Sequence, residues 1–146
     1  MVQSDVIGGA FRVAAGVDMT GYEGRLATLV GAAVTGAPLA AKLADPPTFG
    51  PLYVVIDADT AAASLLPLAA GYTVRIALKG ACAVGAPLFA NADGTVSATD
   101  APTAGLMCVG FAEEPGADGQ AVRVRPCLCK WQVAVDSGQW AVCSER

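Results

Sequence analysis

Three landmarks recur in the same order along this chain, and they constrain its fold more than any single motif. GAPL stands at 36–39 within GAAVTGAPLA and again at 85–88 within GACAVGAPLF, with Gly31 and Ala32 matching Gly80 and Ala81. An apolar run ending in paired acids follows each copy, LYVVIDAD at 52–59 and LMCVGFAEE at 106–114. A Gly-x-x-Val-Arg segment closes each, GYTVRI at 71–76 and GQAVRV at 119–124. Ala and Gly produce one such match by chance, whereas three in order read as a tandem pseudo-repeat over 31–79 and 80–129. The competing reading is that antiparallel sheets simply reuse this strand-turn-strand grammar. The repeat reading places Val74 and Val122 at equivalent core positions.

The local patterns are those of strands. PLFA, NADG and TVSA at 87–98 form a hairpin, the Asp-Gly pair supplying the positive φ of a tight turn. Pro87 suits the first position of a strand, where no ladder donor is required. Residues 72–79 and 122–125 alternate apolar and polar, as half-exposed strands do. Residues 52–56 are a continuous apolar run, expected to be buried on both faces, and 26–41 read as two buried strands. A short helix is expected over 59–66, capped by Asp59 or Thr60 and stopped before Pro67. Short strands and turns at this spacing give an all-β fold, a small sandwich or barrel.

Two segments flank the β-domain of 31–129. Residues 1–30 carry Gly8, Gly9, Gly16, Gly21 and Gly24 with Phe11, Val13, Val17 and Tyr22 between them. No strand or helix period appears before Leu26, so this segment reads as an extended N-terminal arm. It is expected to bury its apolar side chains on a partner, with Arg12 and Arg25 meeting acidic groups there. Residues 130–146 read as a C-terminal hairpin about Ser137-Gly138, anchored by Trp131 and Trp140. The candidate interface residues are Phe11, Arg12, Val13, Val17, Tyr22, Arg25, Trp131 and Trp140.

Composition excludes several classes of function. With 146 residues the chain is expected to be one domain. It is 54% hydrophobic and 15% charged, so some apolar surface is expected to be covered by a partner. The net charge is −4 and the basic residues are scattered, which leaves no footprint for direct nucleic-acid binding. The opening MVQSD has no basic n-region, and no stretch is long and apolar enough to span a bilayer, so neither export nor membrane insertion is expected. The five cysteines are odd in number and are expected to be reduced thiols made in a cytoplasm. Cys127-Leu128-Cys129 lacks zinc-knuckle spacing.

No catalytic constellation emerges. The chain has no histidine, which removes every histidine-based triad and metal site. Asp57/Asp59 and Glu113/Glu114 stand just past a strand end in each repeat, where solvated loop acids are expected rather than a carboxylate dyad or a calcium site. Arg75 and Arg123 are expected on exposed strand faces, in reach of those acids. VIGGAFRVAAG contains neither a P-loop nor GxGxxG. The expected catalytic, cofactor and metal sets are empty.

The stretch 78–128 resembles a known family. Its xGxxxVGxPLF strand, ADGTV hairpin, VGFAxE strand and closing GxxVRVR strand are similar to the small decoration, or cement, proteins of tailed bacteriophage capsids. The C-terminal Trp hairpin departs from the short ending of that family. The resemblance implies a non-enzymatic protein on the outer surface of the virion, synthesised in the host cytoplasm. It would bind the major capsid protein, bridge neighbouring subunits and associate with copies of itself as a trimer or a dimer. The alternatives are a phage fibre or tail β-module that binds a host surface, and a small cysteine or carboxylate hydrolase.

Overall fold

A computed structural model describes residues 9–31, 38–43, 51–69, 71–99, 106–133 and 141–144, the side chains of 128–133 and 141–144 excepted. The described chain is all β. Its strands are β1 (Phe11–Ala15), β2 (Leu26–Val30), β3 (Leu39–Lys42), β4 (Tyr53–Ala58), β5 (Ala62–Pro67), β6 (Val74–Ala77), β7 (Pro87–Ala90), β8 (Val96–Ser97), β9 (Met107–Ala112), β10 (Ala121–Val133) and β11 (Ala141–Ser144).

β1 to β5 close a barrel in the order β1-β3-β2-β4-β5. β1 runs parallel to β3 and antiparallel to β5. The second sheet has the same plan. β7 pairs with β8 and β9, β9 with β10, and β10 with β6. A parallel bridge between Leu78, just past β6, and Val96 of β8 closes the ring. The strands β6 to β10 therefore repeat β1 to β5 in order, direction and closure.

The registers agree residue by residue. Ala15 faces Ala40 as Leu78 faces Val96. Thr28 faces Ala41 as Phe89 faces Ser97, and Leu26 faces Val54 as Pro87 faces Phe111. Arg12 faces Ser64 as Arg75 faces Arg123, and Tyr53 faces Pro67 as Gly110 faces Pro126. Hydrogen bonds outside the ladders repeat as well. The Gly24 amide donates to the Val55 carbonyl at 2.7 Å, and the Gly85 amide to that of Ala112 at 2.7 Å. Gly16 donates to Ala40 at 2.8 Å, and Lys79 to Val96 at 2.8 Å. Gly24 and Gly85 share a left-handed backbone, φ 79° and 81°, which glycine adopts without a steric penalty.

The tandem repeat thus exists with a different phase from the one expected. One unit runs from β1 to β5 and the next from β6 to β10, dividing between Pro67 and Val74 rather than at 79/80. The two GAPL segments are not equivalent, because Leu39 opens β3 whereas Leu88 lies in β7, the counterpart of β2. The two Gly-x-x-Val-Arg segments form the first and last strands of one barrel and pair with each other, Val74 against Val124 and Ile76 against Val122. Val74 and Val122 are both buried, but on neighbouring strands of one barrel. Of the three landmarks, the apolar runs ending in acids mark true counterparts, β4 and β9.

The same ring is filled in two ways. Inside the first barrel, Phe11, Val13, Tyr53, Val55 and Leu65 pack with Ala15, Ala27, Ala40 and Ala63. Inside the second, the counterparts of those alanines are Leu78, Leu88, Val96 and Val122. Phe11 is answered by Val74, and Tyr53 by Gly110. Large residues in one barrel are answered by small ones in the other, so corresponding positions are filled with different side chains. The second cluster continues into Leu26, Leu52 and Val54, on the opposite faces of β2 and β4 from Ala27 and Val55. The outer face of β2 and β4 thus packs into the second barrel's core, while the first barrel's interior forms a separate cluster.

Four further expectations change. Phe11–Ala15 pairs on both sides within the first barrel, so the described part of the expected arm is built into the fold. No helix forms over 59–66. The Asp59 carboxylate accepts the amides of Ala61 and Ala62 at 2.7 and 2.8 Å, which turns the chain tightly from β4 into β5. An aspartate that can cap a helix can equally make this turn, and pairing to β1 and β4 selects the strand. Ile56 is 49% exposed because β4 bulges between Val55 and Asp57, placing two residues outward in succession. β10 continues unbroken past the expected boundary at 129/130 and pairs with β11 as the C-terminal hairpin.

Candidate interaction surface

The residues expected to contact a partner separate into three environments. Phe11 and Val13 point into the first barrel, the Phe11 ring edge-on to Tyr53 with centroids 5.6 Å apart. Tyr22 and Arg25 belong to the junction. Arg12 and Val17 are exposed. Trp131 lies in β10 with its side chain outside the described residues, and Trp140 lies outside them altogether.

At the junction, a short segment of the first barrel enters the seam of the second. The carbonyl of Gly24 accepts the amide of Ala77 at 2.7 Å, and the amide of Leu26 donates to the carbonyl of Gly94 at 2.7 Å. In the first barrel the corresponding seam carries two register pairs, Ala14 with Leu39 and Ala15 with Ala40. In the second it carries the bridge of Leu78 to Val96, and the segment 24–26 occupies the neighbouring row. Tyr22 is 4% exposed beneath this contact, and burial raises its phenol above the usual range. The Arg25 guanidinium and the Lys42 ammonium lie over its ring at 5.6 and 5.3 Å, within cation–π range. Arg25 also donates to the Asp93 carbonyl at 3.3 Å. This role has no local sequence signature, because a segment that fills a seam is recognised only once the seam is known.

The outer walls carry a charged device at equivalent positions. Arg12 lies 3.5 Å from both Asp57 and Asp59 and donates to the Ser64 hydroxyl at 3.1 Å. Its counterpart Arg75 pairs with Glu114 at 2.7 Å, and Arg125 pairs with Glu113 at 3.1 Å. The acids past each strand end thus tie the hairpin between the fourth and fifth strands of a unit to its first or last strand. The backbone amide of Arg123, then the Arg75 guanidinium, hold the Glu114 carboxyl below its usual range. The amides of Ala61 and Ala62, with Arg12 nearby, do the same for Asp59.

Exposed uncharged side chains lie on both barrels. Ala14, Leu39 and Val30 form a cross-strand row over β1, β3 and β2. Ala14 is exposed and Val30 is 41% exposed, with Val17 just beyond the end of β1 at 46%. On the second barrel Val84 is 65% exposed in the turn before Gly85. Such a surface offers shape and apolar area. Among the described residues no group of three His, Cys, Asp or Glu is placed to hold a metal. Cys82 and Cys108 are free thiols, and burial pushes Cys108 up to about 11. No helix among the described residues is long and apolar enough to cross a membrane. The chain matches no protein-family model and no curated protein.

Proposed function

We propose that the chain is a non-enzymatic structural protein that binds the outer surface of a tailed-phage capsid and bridges neighbouring major capsid subunits. The observation that supports this reading best is the tandem barrel itself. Two copies of one unit, held by the packing of Leu26, Leu52 and Val54 on the second barrel's core and by a hydrogen-bonded junction, offer corresponding walls at a fixed spacing. A lattice of repeated subunits presents corresponding patches at fixed spacing, and a rigid two-site binder gains affinity there without new contacts. The resemblance over 78–128 spans most of the second barrel and points the same way. The first barrel's uncharged row suits close contact with a protein surface.

On this reading the partners are the major capsid protein and other copies of the chain, a trimer or a dimer on the shell. The site of action is the outside of the virion. Mixing the purified protein with expanded, undecorated capsids tests it. Co-sedimentation at fixed stoichiometry with raised capsid heat resistance is expected. Failure to bind such capsids, with binding instead to host cells or hydrolysis of a substrate, would move the protein to one of the other classes.

A further inference from the structure

We infer that Pro38 and Pro87, the prolines of the two GAPL segments, block the two ends of the tandem, so that the junction made inside the chain is not repeated between copies. The inference stands without the capsid reading. A junction has a donor half and an acceptor half. The donor half is Gly24 to Leu26 in the first barrel, and the acceptor half is Ala77 and Gly94 in the second. Each barrel has both halves by register. The unused donor half is therefore 85–87, and the corresponding acceptor row of the first barrel is Ala14 with Pro38, where β1 and β3 already pair Ala14 with Leu39. A contact of this head-to-tail kind, repeated from chain to chain, produces open filaments unless its rotation closes.

Both unused halves are altered at the atom the junction needs. Leu26 gives its amide hydrogen to Gly94, and its counterpart is Pro87, which has none. Gly94 presents its carbonyl from a backbone with φ 84°, and its counterpart is Pro38, whose ring holds φ near about −65°. A Cβ at position 94 would also lie 2.8 Å from the Leu26 carbonyl oxygen, so any residue but glycine there collides with the incoming backbone. The seam of the first barrel, moreover, is already paired over the row that the incoming segment would occupy. The prolines that make the two GAPL segments look alike thus perform one task at opposite ends, although the segments are not counterparts in the repeat.

The experiment returns an amide at 87 and a glycine at 38, so that only the Ala14–Leu39 pair has to open for the junction to form between copies. Sedimentation velocity over a concentration series compares the wild type, P38G, P87L and P38G/P87L, each checked for β-structure by circular dichroism. The double variant is expected to form a ladder of species whose weight-average mass rises with concentration to at least about twice that of the wild type. Each single variant restores one half and is expected to sediment as the wild type does. If leucine is not accommodated at 87, P38G/P87A restores the same amide with the smallest side chain and carries the same outcomes. A folded double variant that sediments as the wild type overturns the inference, and so does a single variant that polymerises as readily as the pair.

Discussion

The Leu26 amide donates to the Gly94 carbonyl at 2.7 Å, and the Tyr22 hydroxyl fills the space that a side chain at 94 would require. Position 94 is constrained twice, by its left-handed backbone and by the close approach of the first barrel. Gly94→Ala is expected to cost about 2–4 kcal/mol in urea unfolding. Gly80 has a similar φ of 81° but open space around it, so Gly80→Ala is expected to cost only about 1–2 kcal/mol. Equal losses at the two positions would show that the junction does not press on Gly94.

The two fillings of the barrel predict that counterparts are not exchangeable. Leu88 is fully buried in the second barrel, and Leu88→Ala should cost about 2–5 kcal/mol through lost contacts and a cavity. Its counterpart Ala27 is equally buried beneath larger neighbours, and Ala27→Leu should cost about 1–3 kcal/mol through overpacking. Thermal or denaturant unfolding of both variants checks this. A neutral Ala27→Leu would mean that the first barrel has spare volume.

These size exchanges explain what was legible in the sequence and what was not. Alternation and turn chemistry gave the all-β class, the 87–97 hairpin and the strands within 26–41. The phase of the repeat was hidden because Ala27/Leu88, Ala40/Val96 and Tyr53/Gly110 are counterparts in register that differ in size. GAPL drew the alignment to turn residues whose recurrence has another cause. The usable signals were thin: FRVAA against VRIAL at the first strands, the prolines at 67 and 126 in the last, and glycines at 24 and 85. Of the candidate contact residues, Arg12 and Val17 could be placed outside from local sequence. Tyr22 and Arg25 could not, since their surroundings come from the other barrel.

Acid sensitivity should trace to the carboxylates of the hairpin clamps. Glu114 and Asp59 lie below their ordinary values of 4.5 and 3.8 in the folded protein. A depressed folded-state value means the unfolded chain binds the proton first. The contribution is therefore complete above the ordinary values and disappears as pH falls through the folded ones. Stability is expected to drop from about pH 5 downward, and Glu114→Gln or Asp59→Asn should flatten that slope. Urea midpoints measured across this range decide it; an unchanged slope in both variants would place the acid sensitivity elsewhere.

Cys108 should be the least reactive of the described thiols. It is fully buried between β7 and β10, and burial raises it to about 11, so little thiolate exists at neutral pH. Iodoacetamide at pH 8 should leave Cys108 unmodified while the protein is folded and modify it promptly in urea. Partly exposed Cys127 provides the internal comparison. Mass mapping of the peptides gives the answer, and labelling of Cys108 at its denatured rate without urea would contradict the burial.

The deletion of residues 1–20 separates an arm from a strand. An arm that orders only on a partner could be removed from the free protein without loss of fold. β1, however, pairs with β3 on one side and β5 on the other, and it places Phe11, Val13 and Ala15 inside the first barrel. Its removal opens the ring, exposes two strand edges to intermolecular pairing and leaves Tyr53 and Leu65 without their neighbours. The same deletion takes Met19, which is fully buried in that core. The truncated chain is therefore expected to lose the cooperative unfolding of the first barrel and to aggregate. Because Leu26, Leu52 and Val54 of the first barrel pack into the second barrel's core, the second should unfold at lower urea as well. Circular dichroism melts and amide exchange on the truncated chain test this. A soluble product with the wild-type transition would show that β1 contributes nothing to the stability of the free protein.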